Sequence, residues 1–319
     1  MRKTKKTLLI AMLCILLSTS LLSSCSSPAV DNNNESEQNA ENTTIAPDTS
    51  LPEESKPEKE DEKPVEEMTN EELLARIAKK IKRSNNYTIF TIGDSVTYGD
   101  KTSSDEATYT AQFAKMLGEK LPDKTIIRYD GKGPTPSTAP LSYTNPVTVQ
   151  TGTTDKKVTV VRGGVCGDTI KLITERSSDF IGKQIDGNTG DLFIISAGIN
   201  DAGINGDKYA SPTKYRDQIE ALVKQIRAAH PDADVVFMTP TYFGSTGTAL
   251  DLYAKKMSEL GEKLHIAVID LHKLWMDHWI EGAENYGQGD WLTTDDCHPS
   301  DVGHKAMAEE MMRCFFETK

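Results

Sequence analysis

Short runs of apolar residues alternate along the chain with stretches in which apolar residues recur every three or four positions. The short runs predict buried strands, and the periodic stretches predict amphipathic helices. The run 192–196 is apolar throughout, which is typical of a central strand in a parallel sheet. Predicted strands cover residues 87–92, 125–129, 157–161, 192–196, 234–238 and 266–270. Predicted helices cover residues 69–81, 107–120, 169–181, 212–229, 248–264 and 301–316, the first opening on a capping-box pattern at Thr69–Glu72.

This alternation predicts an α/β fold, a three-layer α/β/α sandwich with about five parallel strands. Residues 130–156 interrupt it, because they are rich in Gly, Pro, Thr and Ser and then show two strand-like stretches around Gly152. They predict an inserted loop followed by a hairpin. Since the insertion leads into the strand 157–161, we expect it near one wall of the ligand site; the alternative is a surface elaboration.

The first 67 residues contain nothing that could build a core. Residues 1–25 begin with basic residues and continue in an apolar run too short to cross a bilayer comfortably, which predicts an export signal. The run ends in Leu22-Ser-Ser-Cys25, which resembles a bacterial lipobox and predicts a lipid on Cys25, anchoring the protein outside a bacterial membrane. A plain secretory signal with an incidental cysteine is the alternative.

Residues 26–67 are polar and acidic, with 13 acids against 3 lysines from Asp31 to Glu67. Such a composition predicts a disordered tether, so the folded domain is expected at 68–319. The tether holds most of the excess acid behind the net charge of −12. No contiguous basic stretch is present, which argues against nucleic acid as a partner.

Polar residues follow three of the predicted strands and precede the last predicted helix, and a parallel sheet would bring these four blocks to one edge. Gly93-Asp94-Ser95 follows the first strand, a glycine-rich stretch from Arg162 to Thr169 follows the third, and Gly198-Ile-Asn200-Asp201 follows the fourth. Asp295-Asp-Cys-His298-Pro precedes the last helix. A serine, a glycine loop, an asparagine and an Asp-x-x-His would therefore meet at one site.

In this order, the stretches GDSVTYG, GGVCGDT, GIND and DDCHP resemble the four blocks of the SGNH hydrolases, the GDSL esterase/lipase superfamily. The resemblance covers roughly residues 87–315. It implies the SGNH hydrolase fold, which is flavodoxin-like, and a serine esterase, for which neither a cofactor nor a metal is expected. The sequence also lacks zinc-finger spacing and HExxH. A Gly-x-Ser-x-Gly elbow is absent around Ser95, which excludes the α/β-hydrolase fold.

The resemblance assigns each block a role. Ser95 is the expected nucleophile, His298 the base, and Asp295 the group that orients the imidazole. The expected oxyanion donors are the backbone N–H groups of Ser95 and Gly164 and the side-chain amide of Asn200. Gly164 is expected to lack a side chain because one would crowd the substrate carbonyl.

Each of these residues also has an ordinary structural reading. Ser95 could cap a helix, Gly164 could serve a turn, and Asn200 could fix a loop. The second block departs from the family where Asn is common two residues before the glycine, since Arg162 stands there. This departure alters the surroundings of the glycine loop.

The substrate is expected to be an acylated small molecule or polysaccharide, and a long tether favours O-acetyl esters of a bulky glycan. The alternatives are a short-chain esterase or lysophospholipase-like enzyme, and a catalytically inactive glycan-binding lipoprotein. Aromatic residues that could stack on sugars are Tyr143, Tyr242, Phe243, Trp275, Trp279, Tyr286 and Trp291.

Three cysteines remain beyond the signal, Cys166, Cys297 and Cys314. Cys166 and Cys297 belong to the glycine and histidine loops, so a disulfide between them would pin the two loops together in an exported protein. Separate free thiols are the alternative, and Cys314 is a competing partner.

Overall fold

The computed structural model describes residues 63–132, 140–203, 209–241, 248–278 and 291–317. The signal, Cys25 and most of the tether lie outside these ranges. The end of the expected tether does not, because a 3-10 turn at Val65–Glu67 leads into the first helix and Val65 packs on the core. Within these ranges, none of the helices is long and apolar enough to cross a membrane.

The described residues form one sheet covered by helices on both faces. Its strands are β1 (Asn86–Gly93), β2 (Thr125–Lys132), β3 (Ser142–Tyr143), β4 (Val147–Gln150), β5 (Lys157–Gly164), β6 (Leu192–Ser196), β7 (Asp234–Met238) and β8 (Ala267–Ile269). The helices are α1 (Asn70–Arg83), α2 (Ser95–Tyr98), α3 (Tyr109–Lys120), α4 (Ile170–Glu175), α5 (Pro212–Ala229), α6 (Thr248–Leu264), α7 (Leu271–Asp277) and α8 (Asp301–Phe316).

Six strands run parallel in the order β2-β5-β1-β6-β7-β8, and the two short ones pair antiparallel with β2. The expected α/β sandwich is confirmed. β5 lies between β2 and β1, so β1 and β2 are not neighbours in the sheet. The chain reverses its direction of winding around β1. The carboxyl end of β1 is therefore the crevice where such sheets bind ligands.

Successive residues of β1 enter opposite cores. Ile89 belongs to the cluster under α1, α3 and α8, whereas Phe90 belongs to the cluster under α4, α5 and α6. The capping box at the start of α1 is present, with Thr69 Oγ1 accepting from the Glu72 N–H and the Glu72 carboxylate accepting in return. Both faces of β1 are thus buried, which holds its carboxyl end rigidly.

The hairpin expected between the two strand-like stretches around Gly152 is wrong. β4 pairs with Ile126–Arg128 of β2, and β5 instead fills the gap between β2 and β1. Both neighbours of β5 are therefore long parallel strands. β3 pairs with Gly131 and Lys132 at the carboxyl end of β2, so one part of the insertion lies at the ligand-binding edge and β4 lies toward the other end. Residues 133–139 are outside the described ranges.

The helix expected at 169–181 ends early, at Glu175. Arg176 turns away to form ion pairs with Asp168 (2.7 Å) and Asp179 (3.8 Å). Asp179 in turn accepts a hydrogen bond from the N–H of Leu141 beside β3 (3.1 Å). These contacts replace the last helical turns and fasten the insertion to the glycine loop.

Candidate active site

The carboxyl end of β1 turns directly into the short helix α2. Asp94 caps this helix by accepting the Val96 N–H (3.0 Å), and Ser95 is its first residue. Gly93 permits the sharp entry, since a Cβ there would lie 2.1 Å from Ser196 O. The structure describes no acceptor for the Ser95 N–H, as expected for the first turn of a helix.

The imidazole of His298 bridges Ser95 and Asp295. Its Nε2 lies 2.9 Å from Ser95 Oγ, and its Nδ1 lies 2.7 Å from Asp295 Oδ2. Ser95 is only 6% exposed, so its hydroxyl is largely shielded from solvent. The fold therefore brings together the three residues that the sequence selected for the serine, the base and the orienting acid.

Asp295 is fixed by its own loop. Its Oδ1 accepts the N–H groups of Cys297 and His298 (both 3.0 Å) and the hydroxyl of Thr293 (2.7 Å). Partial burial opposes ionisation, but these donors and the imidazole hold the pKa of Asp295 well below its usual value. The carboxylate is therefore charged at neutral pH and accepts a hydrogen bond from the protonated Nδ1 of His298.

Asn200 lies on the loop that follows β6. It is buried, and its Nδ2 donates to Asp168 O (2.9 Å) in the glycine loop. Asn200 thus joins the loops that follow β5 and β6.

The structure gives Gly164 a different reason for being glycine. It is the buried last residue of β5, level with Gly93, and a Cβ there would lie 2.1 Å from the Tyr98 nitrogen. The missing side chain makes room for the backbone of α2. The loop continues into a turn closed by the Asp168 N–H to Val165 O (3.1 Å), with Gly167 at φ 76°. Sequence reasoning did not select Gly167, although a Gly-Asp pair is a turn signal.

Arg162, which stands where the family commonly has Asn, anchors the short helix α2. It is 2% exposed, and its guanidinium donates to Tyr98 O (2.8 Å) and to Asp105 (2.5 Å). It also pairs with buried Asp130 (3.1 Å), which holds a second buried arginine, Arg128. This ion network fixes the carbonyl end of the helix that begins at Ser95.

Two buried carboxyls lie behind the site. Burial raises the pKa of Asp94 to about 6, although the Val96 N–H lowers it. Burial also raises the pKa of Asp201 to about 7, against the N–H of Ile170 at the start of α4, and the nearby Asp94 raises it further. These groups act as loop-fixing caps, the ordinary reading of acidic residues in such blocks.

The expected disulfide is not formed, since Cys166 and Cys297 are free thiols. The Cys297 side chain packs into the core under α1, α3 and α8, whereas Cys166 is half-buried in the glycine loop. Burial, with Asp100 and Asp94 nearby, raises the pKa of Cys166 to about 12. Neither thiol is activated for exchange.

The aromatic candidates divide. Trp275 is fully buried and is core, which contradicts a sugar-stacking role. Tyr143 packs edge-on against Phe90 and donates to Asp179 O (3.0 Å), and Trp291 packs against Trp275. Tyr242, Phe243, Trp279 and Tyr286 lie outside the described residues. In the described part of the chain, no group of three or more His, Cys, Asp or Glu residues is arranged to hold a metal ion.

The parallel sheet, its switch point and the hydrogen-bonded Ser95 at the end of β1 are the features of a serine hydrolase with a three-layer α/β/α fold. The chain belongs to the GDSL-like lipase/acylhydrolase family, whose model matches residues 91–306. It is therefore a carboxylic ester hydrolase.

Solved structures share this fold. A peptidoglycan O-acetylesterase is 14% identical with a TM-score of 0.55, over 76% of this chain and 95% of that one. An acetyl xylan esterase is 18% identical with a TM-score of 0.51, over 70% and 97%. A G-D-S-L family protein from Desulfitobacterium hafniense DCB-2 is 16% identical with a TM-score of 0.50, over 72% and 99%. No curated protein sequence matches the chain significantly.

Proposed function

We propose that this chain is a serine esterase that removes O-acetyl groups from a polysaccharide or glycan outside the cell. The observation that carries the proposal is the continuous hydrogen-bonded series from Ser95 Oγ through His298 to Asp295, at 2.9 and 2.7 Å. These distances are within the reach required of a nucleophile, a base and an orienting group.

The series determines the proton transfers. Ionised Asp295 accepts from Nδ1–H, so the lone pair of Nε2 faces the Ser95 hydroxyl. Ser95 Oγ attacks the carbonyl carbon as its proton passes to Nε2, and the C–O bond to the alcohol breaks as Nε2 returns that proton to the leaving oxygen. Water then cleaves the acetyl-serine by the same transfers, releasing acetate and restoring the hydroxyl.

The oxyanion needs donors beside Ser95. The Ser95 N–H at the start of α2 and the Asn200 amide are the predicted donors that we retain. We replace Gly164 by the turn backbone at Cys166 and Gly167, because Gly164 is buried inside the sheet whereas these two residues are half-exposed beyond its edge. Each such donor contributes about 3–4 kcal/mol of transition-state stabilisation.

Two considerations favour an acetylated glycan. Both acetylesterases above share the fold over more than two thirds of this chain, and the acyl groups that they remove are acetyl groups. The sequence of residues 1–67 supports display on a lipid anchor at Cys25, which places the enzyme where bulky polymers are found. These points support the substrate class and the location as proposals.

The direct test replaces the nucleophile. Ser95→Ala should lower kcat/KM on 4-nitrophenyl acetate by about four to six orders of magnitude and abolish labelling by a fluorophosphonate. The control is Ser178→Ala, an exposed serine in a 3-10 turn, which should retain both. Wild-type turnover by Ser95→Ala would refute the mechanism. Rates on acetylated xylan, acetylated peptidoglycan and 4-nitrophenyl esters of increasing chain length would then test the substrate class.

A further inference from the structure

A second carboxylate faces the nitrogen of His298 that exchanges protons with Ser95. Asp100 Oδ2 lies 3.7 Å from His298 Nε2. The side chain of Asp100 is 35% exposed, so it lies at the solvent-accessible edge of the site and not in the core. The residues assigned to the chemistry above do not include it.

The backbone holds Asp100 in this position. Its N–H donates to Ser95 O (3.0 Å), directly after the left-handed Gly99 that ends α2. The Lys101 N–H donates to Oδ1 (3.1 Å), and the Lys101 ammonium lies 3.9 Å from the same oxygen. Among the described residues, no group donates a hydrogen bond to Oδ2. One oxygen is therefore tied back, and the other is turned toward the site.

The charge of Asp100 reaches the loops around the serine. After burial, Asp100 contributes to the raised pKa of the Cys166 thiol in the glycine loop, and after burial, Asp295 and Asp94 it contributes to that of Cys297 in the histidine loop. The negative charge of Asp100 therefore acts on both the glycine loop and the histidine loop. Any substrate group that enters between these loops meets the same field.

The leaving alcohol must pass this carboxylate. To receive a proton from Nε2, the ester oxygen has to come within about 3 Å of that nitrogen. Oδ2 of Asp100 is 3.7 Å from the same atom. A hydroxyl on the carbon adjacent to the one that bears the ester oxygen can therefore donate to Oδ2, whereas an anionic group there would be repelled.

We propose that Asp100 is a specificity-determining residue that selects esters by their alcohol part, favouring alcohols with a neighbouring hydroxyl, as in a sugar ring, and rejecting anionic ones. The inference rests on the proposed serine esterase function and narrows its substrate class. It also separates a glycan ester from a lysophospholipid, whose alcohol part carries a phosphate.

The test compares substrates with one acyl group and different alcohols. For Asp100→Asn, the ratio of kcat/KM on trans-cyclohexane-1,2-diol monoacetate to that on cyclohexyl acetate should fall about tenfold, because a charge-assisted acceptor is lost. The ratio on 3-acetoxybenzoate to that on 3-acetoxybenzamide should rise several-fold. The wild-type preference in this second pair should weaken with added salt.

Two controls separate selectivity from general damage. Asp155→Asn removes one exposed acid between β4 and β5 and should leave both ratios at wild-type values. The ratio on 4-nitrophenyl acetate to that on the butyrate reports the acyl side and should stay constant in Asp100→Asn. Asp100→Ala should shift the alcohol ratios in the same direction.

The outcomes are distinct. A uniform loss on all substrates with unchanged ratios would show that Asp100 only supports the imidazolium and would overturn this inference while leaving the esterase in place. An inactive wild-type protein would overturn the proposed function and this inference with it.

Discussion

Asp201 shows how a residue beside the nucleophile loop limits stability. Its carboxyl is fully buried and accepts the N–H of Ile170, fixing the start of α4. The pKa of Asp201 is about 7 in the folded protein against an ordinary 3.8, so the folded state binds a proton that the unfolded state releases. The stability associated with this proton is complete below about pH 4 and is lost as the pH rises to about 7.

Replacing Asp201 by Asn should remove this loss. Relative to Asp201→Asn, the free energy of unfolding of the wild type should fall between about pH 4 and 7, by on the order of 4 kcal/mol for a three-unit difference in pKa. Urea unfolding at a series of pH values measures it, with Asp155→Asn as the control for losing one charge. A difference independent of pH would contradict the prediction.

The helix α2 is the element on which the site depends. It is four residues long and therefore too short to be stable by itself. Close packing against Gly93 and Gly164 and the hydrogen bond from Arg162 to its carbonyl end hold it in place. Close backbone contact substitutes here for the side-chain packing that fixes longer helices. A change beneath α2 should therefore act on stability and catalysis together.

Gly164→Ala places a methyl group against the α2 backbone, 2.1 Å from the Tyr98 nitrogen. We expect a loss of about 1–3 kcal/mol in the free energy of unfolding and a lower kcat, because the helix must shift. The control is Gly182→Ala, where nothing lies within 4 Å of the added carbon. Reduced kcat with unchanged stability would favour the originally expected role of Gly164 beside the substrate.

The long strands and helices could be predicted because their apolar periods are strong, as for 192–196 and 212–229. The four blocks could be placed at one edge because parallel strands end together. The short α2, the early end of α4 and the pairing of β4 could not, since tertiary contacts such as those of Arg176 decide them. Asp100 escaped notice because its position depends on the left-handed turn after α2.

At the scale of the whole chain, the proposed anchor and the candidate site lie in different parts of the sequence. The described part begins at Lys63, and every residue of the candidate site lies between Ser95 and His298. A lipid on Cys25 would therefore restrict where the enzyme acts without entering its chemistry.

Cys25→Ala tests the anchor. In a bacterial host, the variant should leave the membrane fraction or retain its signal, while kcat/KM on 4-nitrophenyl acetate stays at the wild-type value. Mass spectrometry of the mature N-terminus is the measurement, with Cys314→Ala, far from the signal, as the matched cysteine control. An unlipidated mature N-terminus at a residue other than 25 would refute the anchor.

The distance along the chain between nucleophile and base has a consequence for biosynthesis. Ser95 and His298 are 203 positions apart, and the base arrives only just before the last helix, α8. During synthesis the Ser95 hydroxyl has no imidazole to accept its proton until residue 298 has emerged. A nascent chain that stops before His298 therefore lacks the base, and α8, which follows the histidine loop, packs against α3 and α1.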